Sequence, residues 1–257
     1  MKVEVHNIEG AKIETIDLPE QFNEEYEPDL VKRAILAIDS HNRQPYGAMS
    51  KAGQGYSGKL SRRRRDYKGA YGKGISRVPR KTMWRRGMQF GWVGTIAPGT
   101  VGGRRAHPAK PTKDYAQKIN KKERRKAIRS ALNGTFAKGI ITVVEDKFEG
   151  LKKTKEVENV FDKLKIEYKK IERKRAGKGK NRGREKRYKK NALVILSKEC
   201  EAMKAVKNLP GFDVVQVEKL NTKLLTLGHN TPRKCLWTKG AIEKLSKNKL
   251  FTGAKNE

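Results

Sequence analysis

The chain has 257 residues, with 61 Lys or Arg against 28 Asp or Glu and a formal net charge of +33 at pH 7. Self-repulsion of that size disfavours a compact free state and suits a chain neutralised by a permanent polyanionic partner. With no apolar run near the roughly 18 residues of a membrane span, no greasy amphipathic helix and no lipidation motif, phosphate backbones outrank an anionic membrane as that partner.

The start, Met1-Lys2-Val3-Glu4-Val5-His6, is charged and alternating, which is not the pattern of a signal peptide. Val3, Val5 and Ile8, then Ile13, Ile16 and Leu18, predict two short strands joined at Gly10. Pro28 opens a helix whose stripe is Val31, Ala34, Ile35 and Ile38, with Arg33 and Asp39 facing water.

Residues 44–112 then break every period. They hold thirteen glycines and sixteen basic residues, among them Arg62-Arg63-Arg64-Arg65, and their only carboxylate is Asp66. No apolar period of 3.6 or 2 persists, so the segment is expected to bury no core of its own. A loop this long is normally evidence against an assignment unless it is the functional part. Doubled back on itself it would reach at most ~100 Å, at about 3.3 Å per residue, so it is read as a probe entering a large RNA body. Glycine permits close backbone approach, and arginine forks bridge phosphates bidentately. Tyr46, Tyr56, Tyr67, Tyr71, Trp84, Phe90 and Trp92 are interleaved with them. Rings in such a segment either stack on unpaired bases or pack in a local cluster, and the sequence leaves both open.

Asn120 with Glu123 has capping-box spacing, and Ala127, Ile128, Ala131, Leu132 and Phe136 carry the helix on, with Asn133-Gly134 expected to loosen or stop it. The runs 140–144, 192–196 and 214–217 predict strands buried on both faces. Between them fall a helix with Val157, Val160, Phe161 and Leu164 inward and another carrying Met203 and Val206. Leu224, Leu225 and Leu227 form a short apolar patch, and a last helix starts near Thr238 with Ile242 and Leu245 inward. The fold class is α/β, a mostly parallel sheet flanked by helices in a Rossmann-like layered core. With 35% hydrophobic residues there is enough for one sizeable core plus extensions. A second basic segment, 168–190, interrupts the alternation with thirteen Lys or Arg against Glu172 and Glu185, and is expected to be solvated until RNA orders it.

Chemistry is hard to find. Gly58-Lys59, Gly72-Lys73 and Gly177-Lys178 are followed by Leu60, Gly74 and Gly179, not by the Ser or Thr of a Walker motif. Gly177-x-Gly179-x-x-x-Gly183 misses dinucleotide spacing and precedes a strand. Glu145-Asp146 lacks the upstream glycine turn of a ribose-binding acid and reads as a solvated strand end. His6, His41, His107 and His229 are scattered, and Cys200 and Cys235 read as reduced, buried small hydrophobes. Gly55-Tyr56-Ser57-Gly58 lacks nucleophile-elbow spacing, and no catalytic constellation, metal or cofactor is expected.

Lys51-Ala52-Gly53-Gln54-Gly55-Tyr56-Ser57-Gly58-Lys59, Gly87-Met88-Gln89-Phe90-Gly91, Gly102-Gly103-Arg104-Arg105-Ala106-His107-Pro108 and Arg175-Ala176-Gly177-Lys178-Gly179-Lys180 together resemble the large-subunit ribosomal protein four family, in the archaeal and eukaryotic form that carries the second basic insert. The resemblance covers the whole chain, including 121–132 and the closing Trp237-Thr238-Lys239. It implies an α/β domain on the solvent side of the large subunit and a long loop threaded through large-subunit rRNA. It also implies a role in early subunit assembly, and a loop tip beside another ribosomal protein at the constriction of the polypeptide exit tunnel. By position that tip falls around 80–100, with Met83, Trp84, Arg85, Arg86, Met88, Phe90 and Trp92.

The expected division is 1–43 with 113–257 as the globular rRNA-binding domain, 44–112 as the extended internal loop, and 168–190 as a basic loop within the domain. Expected rRNA contacts are Lys51, Lys59, Arg62, Arg63, Arg64, Arg65, Arg77, Arg80, Arg104, Arg105 and Lys110 in the long loop, and Arg173, Arg175, Lys178, Lys180, Arg182 and Arg184 in the shorter one. The expected partners are large-subunit rRNA, neighbouring ribosomal proteins and the passing nascent polypeptide, with the protein in the cytoplasm on the ribosome. Two rivals make different demands. An RNA methyltransferase would bind a nucleoside cofactor on the sheet, and a free, non-specific RNA chaperone would exchange readily and be salt-labile.

Overall fold

The structure, a computed structural model, describes residues 1–166, 172–228 and 231–253. Tyr168 and its neighbours at the start of the expected basic loop, and His229, lie outside the described residues. The chain divides into two compact units, 1–42 with 116–257 and 43–115. In order the elements are β1 (Lys2–His6), β2 (Lys12–Asp17), α1 (Pro28–His41), β3 (Arg80–Arg86), β4 (Gln89–Gly94), α2 (Lys121–Ala137), β5 (Ile141–Val144), α3 (Thr154–Lys163), β6 (Glu172–Lys174) and β7 (Lys186–Tyr188). They continue with β8 (Leu193–Leu196), α4 (Glu201–Asn208), β9 (Asp213–Gln216), α5 (Thr222–Leu225), β10 (Thr226–Leu227), β11 (Thr231–Pro232), β12 (Cys235–Thr238) and α6 (Lys239–Lys247).

The first unit is built on a six-stranded sheet in the order β2-β1-β5-β12-β8-β9. β1 and β2 form an antiparallel hairpin turned at Gly10, whose φ of +86° suits glycine. All other neighbours run parallel, so the sheet is mixed but mostly parallel. Successive strand residues point to opposite faces, and each face is apolar. Val143, Leu193, Ile195, Val215, Cys235 and Trp237 pack with Val31 and Ile35 of α1, Ile128 and Leu132 of α2, and Ile242 and Leu245 of α6. Val144, Val194, Leu196 and Leu236 pack on the other side with Val157, Val160 and Phe161 of α3 and Ala205 and Val206 of α4. The expected α/β class holds.

Two local expectations change. Helix α2 does not stop at Asn133-Gly134 but runs to Ala137. Gly134 is buried against Tyr26 and Pro232, and a Cβ there would collide with the Tyr26 ring. This glycine therefore serves close packing and not termination, and Asn133 Nδ2 reaches out to the Glu24 carbonyl at 2.6 Å. At the other end Asn120 and Glu123 do form the reciprocal capping box. The second change is β12. Cys235–Thr238 forms a strand between β5 and β8, where Trp237 is fully buried and meets Phe22 edge-on at 5.8 Å.

The buried arginine of this unit is paired. Arg233, 3% exposed, donates to the Asn191, Ala192 and Gly211 carbonyls and to Asp213 at 2.6 Å. Cys235 is fully buried, and burial pushes its thiol up to about 12, so it stays a neutral packing group; Cys200 is half-buried.

Open α/β sheets take nucleotides in the crevice outside the carboxyl ends of the strands. Here the 3-10 turn Asp146–Gly150 closes over that edge. Glu149 accepts from the Ser197 amide (2.7 Å), the Ser197 hydroxyl (2.8 Å) and the Thr238 hydroxyl (2.8 Å), which follow or end β8 and β12. Glu145 accepts from the Ile8 amide and Asp146 from the Gly240 amide at the start of α6. Glu145 is half-buried and Asp146 exposed, so this strand end meets solvent as expected, and both carboxylates also fasten backbone amides. Glu149→Ala leaves three donors short of an acceptor, and a loss of about 1–3 kcal/mol is expected in urea unfolding. A loss under about 0.3 kcal/mol would show that water replaces the carboxylate at no cost.

Candidate nucleic-acid interface

Residues 43–115 form a unit with almost no interior. Gly69 and Thr95 are its only buried residues, and no apolar side chain among them is buried. Of the fourteen large hydrophobic side chains exposed on the described residues, ten belong to this unit. It carries eighteen Lys and Arg against Asp66 and Asp114. Hydrophobic burial cannot be what organises it, so its order comes from backbone hydrogen bonds, glycine crossings and cation–aromatic contacts.

The central piece is the antiparallel ribbon β3–β4, with Arg80 opposite Gly94 and Arg86 opposite Gln89. This pairing was not expected in a segment read as lacking strand periodicity. Met83 is the extra residue of a bulge between the Thr82–Trp92 and Trp84–Gly91 pairs. The Trp84 indole lies across Gly91, where a Cβ would collide with it. Gly87, with φ of +56°, makes the turn. Met83, Trp84 and Met88 are 60%, 57% and 88% exposed, so apolar surface is concentrated at the turn end of the ribbon.

Some aromatics cluster and others do not. Tyr67, Phe90 and Trp92 form an edge-to-face ladder with centroids 5.5 and 5.3 Å apart. Arg85 closes one end, 5.6 Å from the Tyr67 ring, and Arg80 the other, 5.1 Å from Trp92. Arg64 lies over Tyr71 and Lys81 over Tyr56. Local packing thus claims Tyr67, Phe90 and Trp92, while Trp84 keeps a solvent-facing surface.

The basic residues also divide. Arg80 is half-buried and spends its guanidinium on the Ser76 carbonyl (2.6 Å), the Val78 carbonyl (3.2 Å) and the Ser76 hydroxyl (2.9 Å). It braces the base of the ribbon. Arg104 is half-buried too, with its backbone crossing Gly53. Lys51, Lys59, Arg62, Arg63, Arg64, Arg65, Arg77, Arg105 and Lys110 are exposed, as are Arg85 and Arg86 on the ribbon.

The four-arginine run is held in a loop that closes on itself. Ser61 N–H donates to the Lys68 carbonyl and Gly69 N–H to the Asp66 carbonyl at 2.9 Å. The Asp66 carboxyl is held below its usual range by the Ser61 hydroxyl, with the Lys68 and Tyr67 amides and the Arg63 charge adding to the effect. Asp66 therefore organises the run.

From Glu172 onward the second basic segment forms an antiparallel hairpin, β6 with β7, closed by Arg175 N–H to the Glu185 carbonyl at 2.9 Å. Its turn contains a short 3-10 helix, Lys180–Arg182, ended by Gly183 at φ of +71°. Arg175, Lys178, Lys180, Arg182 and Arg184 are all exposed; the Arg173 side chain lies outside the description. The segment expected to order only on RNA already has a backbone register.

Three residues just outside the expected 44–112 boundary belong with this surface. Arg43 sits 4.0 Å from the Tyr115 ring and 5.6 Å from Tyr46, those rings are nearly parallel at 6.1 Å, and Lys113 lies 5.5 Å from Tyr115. The basic–aromatic spacing continues one step past each boundary, as Arg43-x-x-Tyr46 and Lys113-x-Tyr115, and is the signal that finds them.

Known proteins share this chain along nearly its full length. Large ribosomal subunit protein uL4 of Nanoarchaeum equitans is 44% identical over 268 residues, covering 98% of this chain and 100% of that protein. Those of Archaeoglobus fulgidus and Methanocaldococcus jannaschii are 41% and 39% identical, each over 95% of this chain and 98% of the relative. Residues 16–248 match the Ribosomal protein L4/L1 family. At that identity and coverage, with an α/β core carrying two basic hairpin-bearing segments, the chain belongs to the ribosomal protein L4/L1 family.

Proposed function

We propose that this protein is a structural constituent of the large ribosomal subunit, present on cytoplasmic ribosomes, with no catalysis of its own. It binds large-subunit rRNA through 43–115 and the 172–190 hairpin and helps the subunit assemble early. The turn of the β3–β4 ribbon forms part of the polypeptide exit tunnel wall beside neighbouring ribosomal proteins. The observation that carries this reading is the unit 43–115, which buries only Gly69 and Thr95 while holding eighteen cations against two acids. A unit with no apolar interior and that charge is completed by a polyanion, and counterion release from phosphates supplies the driving force. Relatives named as large-subunit proteins, matched over 95–98% of this chain, support large-subunit rRNA as that polyanion. Met83, Trp84 and Met88 at the ribbon turn support the tunnel role, because exposed, adaptable apolar groups suit a wall that many nascent sequences pass.

The test is a sucrose gradient of lysate before and after a high-salt wash, following both the full chain and a deletion of 81–99. The full chain is expected to stay with the large subunit at one copy each after the wash. The deletion is expected to stay bound, with an unchanged circular-dichroism melt of the α/β unit, since neither apolar core takes a residue from 43–115. It is also expected to change crosslinking of nascent chains in the tunnel. Release of the full chain to the top of the gradient on washing would reduce the contact to superficial electrostatics and refute the threaded loop.

A further inference from the structure

Within 43–115 a concavity of about 430 Å³ lies between the segments 46–54 and 103–109. Its walls include Tyr46, Met49, Ser50, Gln54, Arg104 and Arg105. We propose that this cavity is a pocket for a single unstacked nucleotide of RNA, with the base inside and its phosphate on the two arginines. This rests on the RNA-binding reading of the unit and deepens it from phosphate contact to base capture.

The cavity is built by backbone. Ala48 N–H donates to the Ala109 carbonyl at 3.0 Å, tying the two walls together. Turns at Met49–Ala52 (2.9 Å) and Lys51–Gln54 (3.0 Å) round off one wall. Gly47 lies against Pro111, and Gly53, with φ of +75°, lies against the Arg104 backbone; a Cβ at either would collide. These glycines set how closely the walls approach, which fixes the cavity without any packed apolar core.

Its chemistry fits a nucleotide better than a protein side chain. Tyr46 is stacked nearly parallel with Tyr115, and the Arg43 guanidinium lies close to both, so one wall is continuous with a set of planar groups. Flat aromatic and guanidinium surfaces are the platforms on which splayed RNA bases stack. Ser50 and Gln54 supply a hydroxyl and an amide, which together can donate to and accept from a base edge. Arg104 and Arg105 supply positive charge at the same cavity, which an uncharged side chain of a partner protein would leave unused. The volume falls in the range of small-ligand pockets.

The test uses the full chain and two RNA hairpins of equal length, one fully paired and one with a single bulged adenosine, titrated by fluorescence anisotropy at several salt concentrations. The bulged hairpin is expected to bind about 5- to 100-fold more tightly, with a salt slope steeper by about one to two phosphate contacts. Ala52→Trp and Ala109→Phe, which fill the cavity from opposite walls, are expected to abolish the preference while leaving binding of the paired hairpin unchanged. Equal binding of the two hairpins by the native chain, or a preference that survives both filling variants, would overturn the pocket while the RNA-binding reading stands. Failure to bind either hairpin at low salt would remove that reading as well.

Discussion

Replacing Arg233 by alanine is expected to lower the unfolding free energy of the α/β unit by about 3–5 kcal/mol, the range for removing one partner of a buried ion pair. The guanidinium is 3% exposed and serves four acceptors: Asp213 and the Asn191, Ala192 and Gly211 carbonyls. Without it, the buried Ala192 carbonyl and the half-buried Asn191 and Gly211 carbonyls each lose a donor, and Asp213 keeps only Lys190, at 2.8 Å. Burial alone would raise the Asp213 carboxyl, but hydrogen bonds from Lys190 and Arg233 outweigh it and hold the group below its usual range. A carboxyl lowered by folding adds stability above its unfolded value, near pH 4, and loses it as pH falls through the lowered folded value. The gap between wild type and Arg233→Ala should therefore be full at pH 7 and shrink below about pH 4. Urea unfolding at pH 7 and pH 3 measures both, and Arg233→Met with Asp213→Asn is expected to recover part of the loss by removing the stranded charge. A loss below 1 kcal/mol at pH 7 would show that the guanidinium merely fills space.

Neutralising Arg62, Arg63, Arg64 and Arg65 together as glutamine is expected to weaken binding to large-subunit rRNA fragments by about 10²–10³-fold at 0.15 M salt. Four lost phosphate contacts make the slope of log K against log[salt] shallower by about 3–4. All four side chains are exposed and sit in one loop closed by Ser61, Asp66 and Gly69, so they present as a group and the α/β unit should melt as before. Arg80→Gln is the contrasting case. Its guanidinium is committed to Ser76, Val78 and Trp92, so its loss should disorder the base of the ribbon and change the slope by less than one phosphate contact does. Equal slope changes for Arg80 and for a single arginine of the run would place Arg80 on phosphate and undo that division.

The sequence by itself determined the α/β class, because β-branched runs at 140–144, 192–196 and 214–217 alternate with helical stripes, and period is a local property. It also determined that 44–112 has no core, since composition alone limits apolar burial, and that the segment is strongly cationic, since charge needs no coordinates. Only the tertiary structure decided the place of β12. Cys235–Thr238 is four residues long beside Pro232, Arg233 and Lys234, and it reads as a strand only once β5 and β8 flank it with their hydrogen bonds. The same holds for Gly134, which looks like a helix stop until Tyr26 arrives from another part of the chain. It holds for Arg80 against its neighbours as well. Sequence assigns every arginine the same charge, and only folding distinguishes a guanidinium satisfied by its own carbonyls from one left facing solvent, because that depends on which acceptors the chain brings within 3 Å.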